Sequence, residues 1–198
     1  MNKRRSNSPR VNNKNYNNGN NINSTSEVLF VDIKPKNDEQ QLLLDCIDQN
    51  VITFIKGAPG SGKTFLSVAY GLRKLLDHKF NQLVFTRPVV EAGGERLGYL
   101  PGSMSEKIDP YMAPIFESLH QFLPQGFHHL LCHNPREGCV YPSIRILPLA
   151  YTRGLTLSRS FVVIDEAQNC HPEQMRMILT RLGDYSKMVF CGDIYQSD

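Results

Sequence analysis

One eight-residue stretch of this sequence has the residue types and the spacing that bind phosphate groups. Residues 57–64 read GAPGSGKT and match the pattern G-x-x-x-x-G-K-[ST]. Glycines let the backbone approach closely, so that successive N–H groups and a helix N-terminus surround the phosphate oxygens. Lys63 is then expected to reach the β- and γ-phosphates, and the Thr64 hydroxyl to ligate Mg²⁺. The predicted phosphate loop consists of Gly57, Ala58, Pro59, Gly60, Ser61, Gly62, Lys63 and Thr64.

A second set of candidate residues follows an apolar run about a hundred residues later. The run 161–164 ends in Asp165 and Glu166. We predict that Asp165 lies near Mg²⁺ and that Glu166 orients and deprotonates the attacking water. Two carboxylates at the end of a strand are by themselves common in solvated turns, so this assignment depends on the phosphate loop that precedes them.

A third polar group follows the last apolar run. Residues 192–196, GDIYQ, come directly after the apolar residues 188–191. Gln196 is a candidate for contacting the γ-phosphate or the lytic water, although the same short pattern is as often a simple turn. Together the three motifs favour the class of ATPases in which one strand lies between the phosphate-loop strand and the Asp-Glu strand.

Short apolar strands and helices alternate along the chain and must position these residues. We predict strands at 51–55, 82–86, 144–147, 161–164 and 188–191. We predict helices at 38–49, 65–76 and 172–182. The segment 105–123 is expected to form two short helices, because Pro110 and Pro114 interrupt its helical spacing. The alternation predicts an α/β fold, a P-loop core with a mainly parallel sheet between helices.

Composition separates an unusual N-terminus from an ordinary globular body. Of 198 residues, 40% are hydrophobic and 21% are charged, and 22 basic and 19 acidic residues give a net charge of +3. Residues 1–26 contain five basic residues, no acidic residue and ten asparagines. The rest of the chain is therefore slightly acidic, and only the N-terminus is basic.

We expect residues 1–27 to be a disordered tail and residues 28–198 to form one folded domain. The tail offers too little apolar surface to offset the entropy that is lost on ordering. A basic arm of this kind either touches nucleic acid or only keeps the chain soluble, and the second interpretation is favoured.

The sequence also predicts where the protein works. No apolar run approaches the roughly 18–20 residues of a membrane span, and the basic N-terminus has no hydrophobic signal segment. Five cysteines, an odd number, do not suggest a disulfide scaffold. We therefore expect no membrane association and a reduced, cytoplasmic compartment.

The motifs and their surroundings resemble the PhoH-like family of phosphate-starvation-inducible ATPases. The resemblance covers residues 37–198 and rests on GAPGSGKT, on Thr86-Arg87-Pro88 and on DEAQN at 165–169, among other blocks. It implies a RecA-like core akin to one half of a superfamily 1 helicase, which binds ATP and hydrolyses it. It also implies activity linked to RNA and self-assembly into a homo-oligomer, for example a hexameric ring.

Two further assignments follow from this resemblance. In helicases of that superfamily a glutamine upstream of the phosphate loop contacts adenine, and Gln40 occupies the corresponding position. A two-lobed helicase also brings an arginine from its second lobe to the developing charge. We expect a neighbouring subunit to supply that arginine here, and the candidates are Arg153 and Arg181. The alternative role for each of them is that of a local salt-bridge partner.

The end of the sequence departs from the family pattern. Relatives usually continue through a further helix and strand after the motif that contains Gln196, whereas this sequence ends at Asp198. We therefore expect either a fragment or a sheet that lacks one edge strand.

Two groups of residues leave alternatives open. Basic and aromatic residues interleave in the predicted loops, which suits single-stranded RNA because bases stack on aromatic rings, but solvated loop charges explain them equally well. These residues are Arg87, Arg96, Lys107, Arg153, Arg159, Tyr99, Tyr111 and Tyr151. Histidines and cysteines cluster at 128–139 without the spacing of an ordinary zinc site, so we expect a surface insertion there. They are His128, His129, Cys132, His133 and Cys139.

Two functions from different classes fit these observations. The first is an ATPase that couples Mg²⁺-dependent ATP hydrolysis to the binding or remodelling of single-stranded RNA. The second is a nucleotide-dependent switch or scaffold that turns over little ATP and acts through a protein partner. The presence of Glu166, which supplies a base, favours the first function.

Overall fold

Five short apolar runs form a parallel sheet in the computed structural model of this chain. The structure describes residues 34–88, 104–124, 126–131 and 143–193. Within these ranges the strands are β1 (Ile52–Lys56), β2 (Gln82–Thr86), β3 (Ser143–Ile146), β4 (Ser160–Ile164) and β5 (Lys187–Gly192). Each lies within about one residue of its predicted bounds, because β-branched and aromatic side chains fit a pleated buried surface. The expected tail 1–27 and residues 89–103 lie outside the described residues.

The strand order places side by side the carboxyl ends of β1, β4 and β5, at which the three candidate motifs begin. The order is β1-β5-β4-β2-β3, and all four pairings are parallel. β5 thus lies between the phosphate-loop strand β1 and the Asp-Glu strand β4, which confirms the prediction. Because the strands are parallel, the residues that follow their carboxyl ends lie side by side. The Asp165 N–H, for example, donates to the Thr86 carbonyl at 2.9 Å.

Four helices cover the two faces of the sheet in the described part of the chain. They are α1 (Asp38–Gln49), α2 (Lys63–Leu76), α3 (Met104–Phe122) and α4 (Pro172–Leu179). The helices α1, α2 and α3 share one buried cluster with Phe161 and Val163 of β4. The alternate residues Val162 and Ile164 point to the other face, where they pack with Ile178 of α4. The expected α/β core is therefore confirmed, with apolar side chains on both faces of its central strands.

Helix α1 has matched interactions at both ends. The Asn37 side chain caps its first turn by accepting the Gln40 N–H at 2.9 Å, and Asp38 and Glu39 complement the helix dipole. Its last turn has no basic residue of its own. The Lys187 ammonium of β5 instead donates to the carbonyls of Ile47, Asp48 and Asn50. These contacts fix α1 against the sheet beside the phosphate loop.

Helix α3 corrects the prediction of two short helices. One helix runs from Met104 to Phe122 through both Pro110 and Pro114. The apolar side chains of Met112, Ile115, Leu119 and Phe122 are almost fully buried at helical spacing. Burial of this continuous stripe outweighs the backbone hydrogen bonds that the two prolines remove.

Helix α4 is shorter than predicted. It ends at Leu179, whereas the apolar spacing continued to Leu182. Leu182 instead forms a parallel β-bridge with Leu157, so the chain has already left the helix at that point.

Among the described residues, none of the helices has both the length and the apolar character that crossing a membrane requires.

Candidate functional site

The phosphate loop connects the carboxyl end of β1 to the first turn of α2. Gly60 and Gly62 have φ angles of 72° and 89°, a left-handed conformation that disfavours residues with a side chain. Gly62 caps α2, and its carbonyl accepts the Leu66 N–H at 2.8 Å. The Gly57 N–H donates to Gly192 at 3.4 Å, which ties the loop to β5. The glycines therefore shape a tight turn that ends in a helix N-terminus, as anion binding requires.

The Lys63 ammonium lies back against the loop. It donates to the carbonyl of Gly57 at 2.6 Å and to that of Ala58 at 2.8 Å. Both partners are neutral carbonyls, and a phosphate oxygen is a stronger partner because it is charged. The side chain is therefore in position to turn from the loop to a phosphate group in the adjoining cavity.

A cavity of about 500 Å³ opens in front of this loop. That volume falls within the range of small-molecule sites. The loop residues that line it are Pro59, Gly60, Gly62, Lys63 and Thr64, and Asp165 and Glu166 line it as well. The phosphate loop and the Asp-Glu pair therefore face a single cavity.

A hydrogen bond joins the two motifs directly. The Thr64 hydroxyl donates to Oδ1 of Asp165 at 2.5 Å, across 101 positions of sequence. A hydroxyl and a carboxylate are hard oxygen ligands of the kind that Mg²⁺ takes, usually together with waters and substrate phosphates. Thr64 and Asp165 thus place together two oxygen atoms of the kind that Mg²⁺ takes as ligands.

The Asp165 carboxylate carries a desolvation cost. Its residue is only 8% exposed, and burial raises the pKa of the carboxyl group above its ordinary value. The hydrogen bond from Thr64 and the charge of Arg87 act in the opposite direction on this pKa. A divalent cation bound at this carboxylate would favour its ionised form.

Glu166 adopts a backbone conformation that is unusual for its type. Its φ and ψ are 50° and 43°, in the left-handed region, and it caps the short 3₁₀ helix Ala167–Asn169. Its Oε2 accepts the Gln168 side-chain N–H at 2.6 Å. The sharp turn separates the directions of Asp165 and Glu166 while both still line the cavity.

Gln40 lies against the phosphate loop. Its side-chain Nε2 donates to the Ser61 carbonyl at 3.3 Å, and its Oε1 accepts the Lys36 N–H at 2.8 Å. It also lines the cavity. The structure therefore brings Gln40 to the site, where it connects the start of α1 to the loop.

The other candidate catalytic residues are placed differently. Arg153 is exposed, and neither it nor Arg181 lines the cavity. The Arg181 guanidinium donates to the Thr180 hydroxyl at 3.1 Å and approaches the Leu155 carbonyl at 3.5 Å. Gln196 lies outside the described residues. Neither of the two arginine candidates, both of which lie in the described part of the chain, therefore reaches the cavity.

Sequence reasoning missed several residues that line the cavity. Lys34 and Lys36 border it on the side of Gln40. They precede a helix whose first turn lies against the phosphate loop, and the signal was the lysine pair in Lys34-Pro35-Lys36. A second wall comes from α3, through Pro114, Ile115 and Ser118. No local motif indicated this wall, because it depends on how α3 packs on α2.

Of the histidine–cysteine cluster, His128 is described and does not line this cavity. The structure describes the side chain of only one of its members, His128, which stacks on Phe127 with ring centroids 5.3 Å apart. Cys132, His133 and Cys139 lie outside the described residues. In the part of the chain that is described, no group of three or more His, Cys, Asp or Glu residues is arranged to hold a metal ion.

Comparison with known proteins identifies the family. The family model described as "PhoH-like protein" matches residues 32–198. The PhoH-like protein of Mycobacterium tuberculosis H37Rv is 44% identical over 184 residues, which cover 88% of this chain and 50% of that protein. The PhoH-like protein of Bacillus subtilis is 41% identical and Protein PhoH of Escherichia coli K12 is 37% identical, each over 84% of this chain. The chain spans about half the length of these relatives.

A solved structure shares the fold at low sequence identity. The large terminase from a thermophilic bacteriophage has a TM-score of 0.50 and 13% identity. The match covers 80% of this chain and 39% of the terminase chain. It supports the architecture of the sheet and helices alone.

Proposed function

We propose that this chain, which belongs to the PhoH-like protein family, binds ATP with Mg²⁺ and hydrolyses it to ADP and phosphate. The observation that carries the proposal is the hydrogen bond between Thr64 and Asp165, which joins the phosphate loop to the Asp-Glu pair. The two motifs then form one site, with a phosphate cradle, two Mg²⁺ ligands and a carboxylate base.

Each group of residues in the site has a separate role in the proposed reaction. The loop N–H groups and the Lys63 ammonium hold the β- and γ-phosphates. Thr64 and Asp165 hold Mg²⁺, which when bound withdraws charge from the phosphate oxygens. Glu166 orients a water molecule toward the γ-phosphorus and accepts its proton at a carboxylate oxygen.

Gln40 is proposed to contact the adenine base. An amide has two N–H donors and two lone pairs on its oxygen, so the contacts with Ser61 and Lys36 leave one of each. That remaining pair matches the acceptor N7 and the donor N6 of adenine. A preference for ATP over GTP that is lost in Gln40→Ala, with Gln49→Ala at the exposed end of α1 as control, would support this assignment.

Single-stranded RNA is proposed to bind along the β2–β3 side of the carboxyl edge. Arg87 follows β2, and its carbonyl accepts the Leu149 N–H at 3.1 Å. Leu149 begins a short helix that contains Tyr151, which is 49% exposed, and exposed Arg153 follows it. Tyrosine rings of this kind stack on unpaired bases.

A matched tyrosine tests this surface. Tyr185 is 82% exposed but precedes β5 at the opposite end of the sheet, near Arg159. Tyr151→Ala should weaken binding of a labelled single-stranded RNA, whereas Tyr185→Ala should leave it unchanged. Equal effects of the two substitutions would contradict the proposed surface.

Assembly into a homo-oligomer is proposed to complete the site. Arginines that stabilise the transition state are often supplied in trans and accelerate hydrolysis about 10³–10⁵-fold. Arg153 is better placed than Arg181 for a neighbouring subunit, because it is exposed whereas Arg181 is held by local contacts. Turnover per subunit should therefore rise with protein concentration, and mixtures of Arg153→Ala and Lys63→Ala chains should recover activity that neither has alone.

Phosphate release measured with and without Mg²⁺ and single-stranded RNA tests the proposed function. We expect turnover that EDTA abolishes and that RNA stimulates. ATP binding without turnover under all of these conditions would instead support the nucleotide-dependent switch or scaffold. Failure to bind ATP would reject both functions.

A further inference from the structure

The Gln168 side chain connects Glu166 to the end of β5. Its Nε2 donates to Glu166 Oε2 at 2.6 Å, and its Oε1 accepts the Asp193 N–H at 3.0 Å. The orientation of the amide is unambiguous, since the backbone N–H of Asp193 can only donate and must face the oxygen. Within the site described above, this amide thus joins the Asp-Glu turn to the strand that separates it from β1.

The two segments meet without a side chain between them. A Cβ added at Gly192 would lie 3.1 Å from Gln168 Oε1 and 3.4 Å from its backbone nitrogen. The first distance is tighter than ordinary van der Waals contact and the second is at its lower limit, so a glycine at this position allows the close approach. Gly192 also accepts the Gly57 N–H at 3.4 Å. The end of β5 therefore touches both the phosphate loop and Gln168.

We infer that Gln168 is a positioning residue for hydrolysis, which aims the Glu166 carboxylate and couples its position to the end of β5. The inference rests on the proposed function, in which Glu166 is the base, and it names the residue that sets the position of that base. Glu166 occupies the left-handed backbone region, so its carboxylate takes its direction from this side-chain contact as well as from its own backbone. A shift of Gly192 and Asp193, which line the cavity, would move the Gln168 amide and with it the carboxylate.

The chemistry of the amide makes the inference specific. Glutamine offers a donor to Glu166 and an acceptor to Asp193 from one planar group. Leucine at this position offers neither, and glutamate would place a second carboxylate against Glu166 and repel it. Both substitutions keep a side chain of similar size, so each removes the hydrogen bond to Glu166 with little change in packing.

The test compares these variants in the full chain. Gln168→Leu and Gln168→Glu should lower kcat by up to about 10²-fold, the cost of a misplaced catalytic group, while the Kd for Mg²⁺–ATP changes less than about twofold. Gln49→Leu, at the exposed end of α1, is the control and should change neither. A thermal melt of each variant verifies that it is folded.

A double variant separates positioning from a merely structural role. If Gln168 acts through Glu166, then adding Gln168→Leu to Glu166→Gln should not lower the residual turnover further. An equal fold-loss in both backgrounds, an unchanged kcat in Gln168→Leu, or a loss confined to ATP affinity would overturn the inference while wild-type turnover stands. No phosphate release by the wild-type chain would reject the proposed hydrolysis, and the positioning role with it.

Discussion

Strands β1 and β4 are each followed by residues of the candidate site, but the two strands differ in burial. All five residues of β4 are buried between β5 and β2. β1 pairs with β5 at one edge of the described sheet, and its Phe54 is 64% exposed although it stacks on Phe190 at 4.5 Å. The phosphate loop of this chain thus follows a strand that is only partly buried.

The two motifs also differ in the contacts that hold their shape. The phosphate loop is shaped by its own glycines, by the start of α2 and by the contacts of Lys63 with two loop carbonyls. Asp165 and Glu166 have no such loop and depend on the position of β4 and on contacts from Thr64 and Gln168. We therefore expect substitutions in β4 to affect both stability and the site, and substitutions on the exposed side of β1 to affect neither strongly.

Substitutions of one phenylalanine in each strand have the largest expected difference in stability. Phe161→Ala in β4 should lower the free energy of unfolding by about 3–5 kcal/mol, because its ring is fully buried near Tyr70 and Phe80. Phe54→Ala in β1 should cost about 1 kcal/mol or less, since most of that ring already contacts solvent. Urea denaturation followed by far-UV circular dichroism measures both, and equal losses would contradict the comparison.

Lys63→Ala tests whether the loop acts independently of the fold. Under the proposed function it removes the charge-assisted hydrogen bonds from Lys63 to phosphate, so affinity for a labelled ATP analogue should fall by about 10²-fold or more. Lys79→Ala, at an exposed position after α2, is the control. The melting temperature should hardly change in either variant. A large drop in stability for Lys63→Ala would mean that the loop supports the sheet as well as the nucleotide.

Asp165→Asn is expected to have a small effect on stability, of opposite sign to that of the phenylalanine substitutions. Burial raises the pKa of Asp165 in the folded chain, so ionisation at neutral pH opposes folding, and this cost grows as pH rises from 3.8 through the raised pKa. A neutral amide removes the cost and retains an acceptor for the Thr64 hydroxyl. Differential scanning fluorimetry without Mg²⁺ should show a melting temperature a few degrees higher.

Added Mg²⁺–ATP should reverse the order of the melting temperatures of the wild-type chain and Asp165→Asn. It should stabilise the wild-type chain more than Asp165→Asn, because the amide is a poorer ligand for Mg²⁺. The matched control is Asp184→Asn, in the exposed turn before β5, which should change neither melting temperature. A lower melting temperature for Asp165→Asn without Mg²⁺ would show that the ionised carboxylate stabilises the fold.

The sequence predicted the strands, the phosphate loop and the Asp-Glu pair because these are local patterns. The apolar run before Asp165 and the glycines around Ser61 are each recognisable from adjacent residues alone. The strand inserted between β1 and β4 was also predictable, from the combination of three motifs with a known class of fold.

The rest depends on contacts between distant segments, which no local pattern contains. Helix α3 continues through Pro114 because its apolar stripe packs on α2. Gln168 lies two residues after Glu166 in the sequence, but its role becomes visible only when β5 brings Asp193 to its other side. The cavity wall at Ser118 likewise follows from tertiary packing.

The most direct test of the account is single-turnover hydrolysis by Glu166→Gln. The amide keeps the shape of the side chain and cannot accept a proton, so Mg²⁺–ATP should bind as tightly as in the wild type while the rate of phosphate release falls by about 10²–10⁴-fold. Glu173→Gln, exposed in the first turn of α4, controls for the change of charge and should keep the wild-type rate. An undiminished rate in Glu166→Gln would contradict the account, because the base would then lie elsewhere.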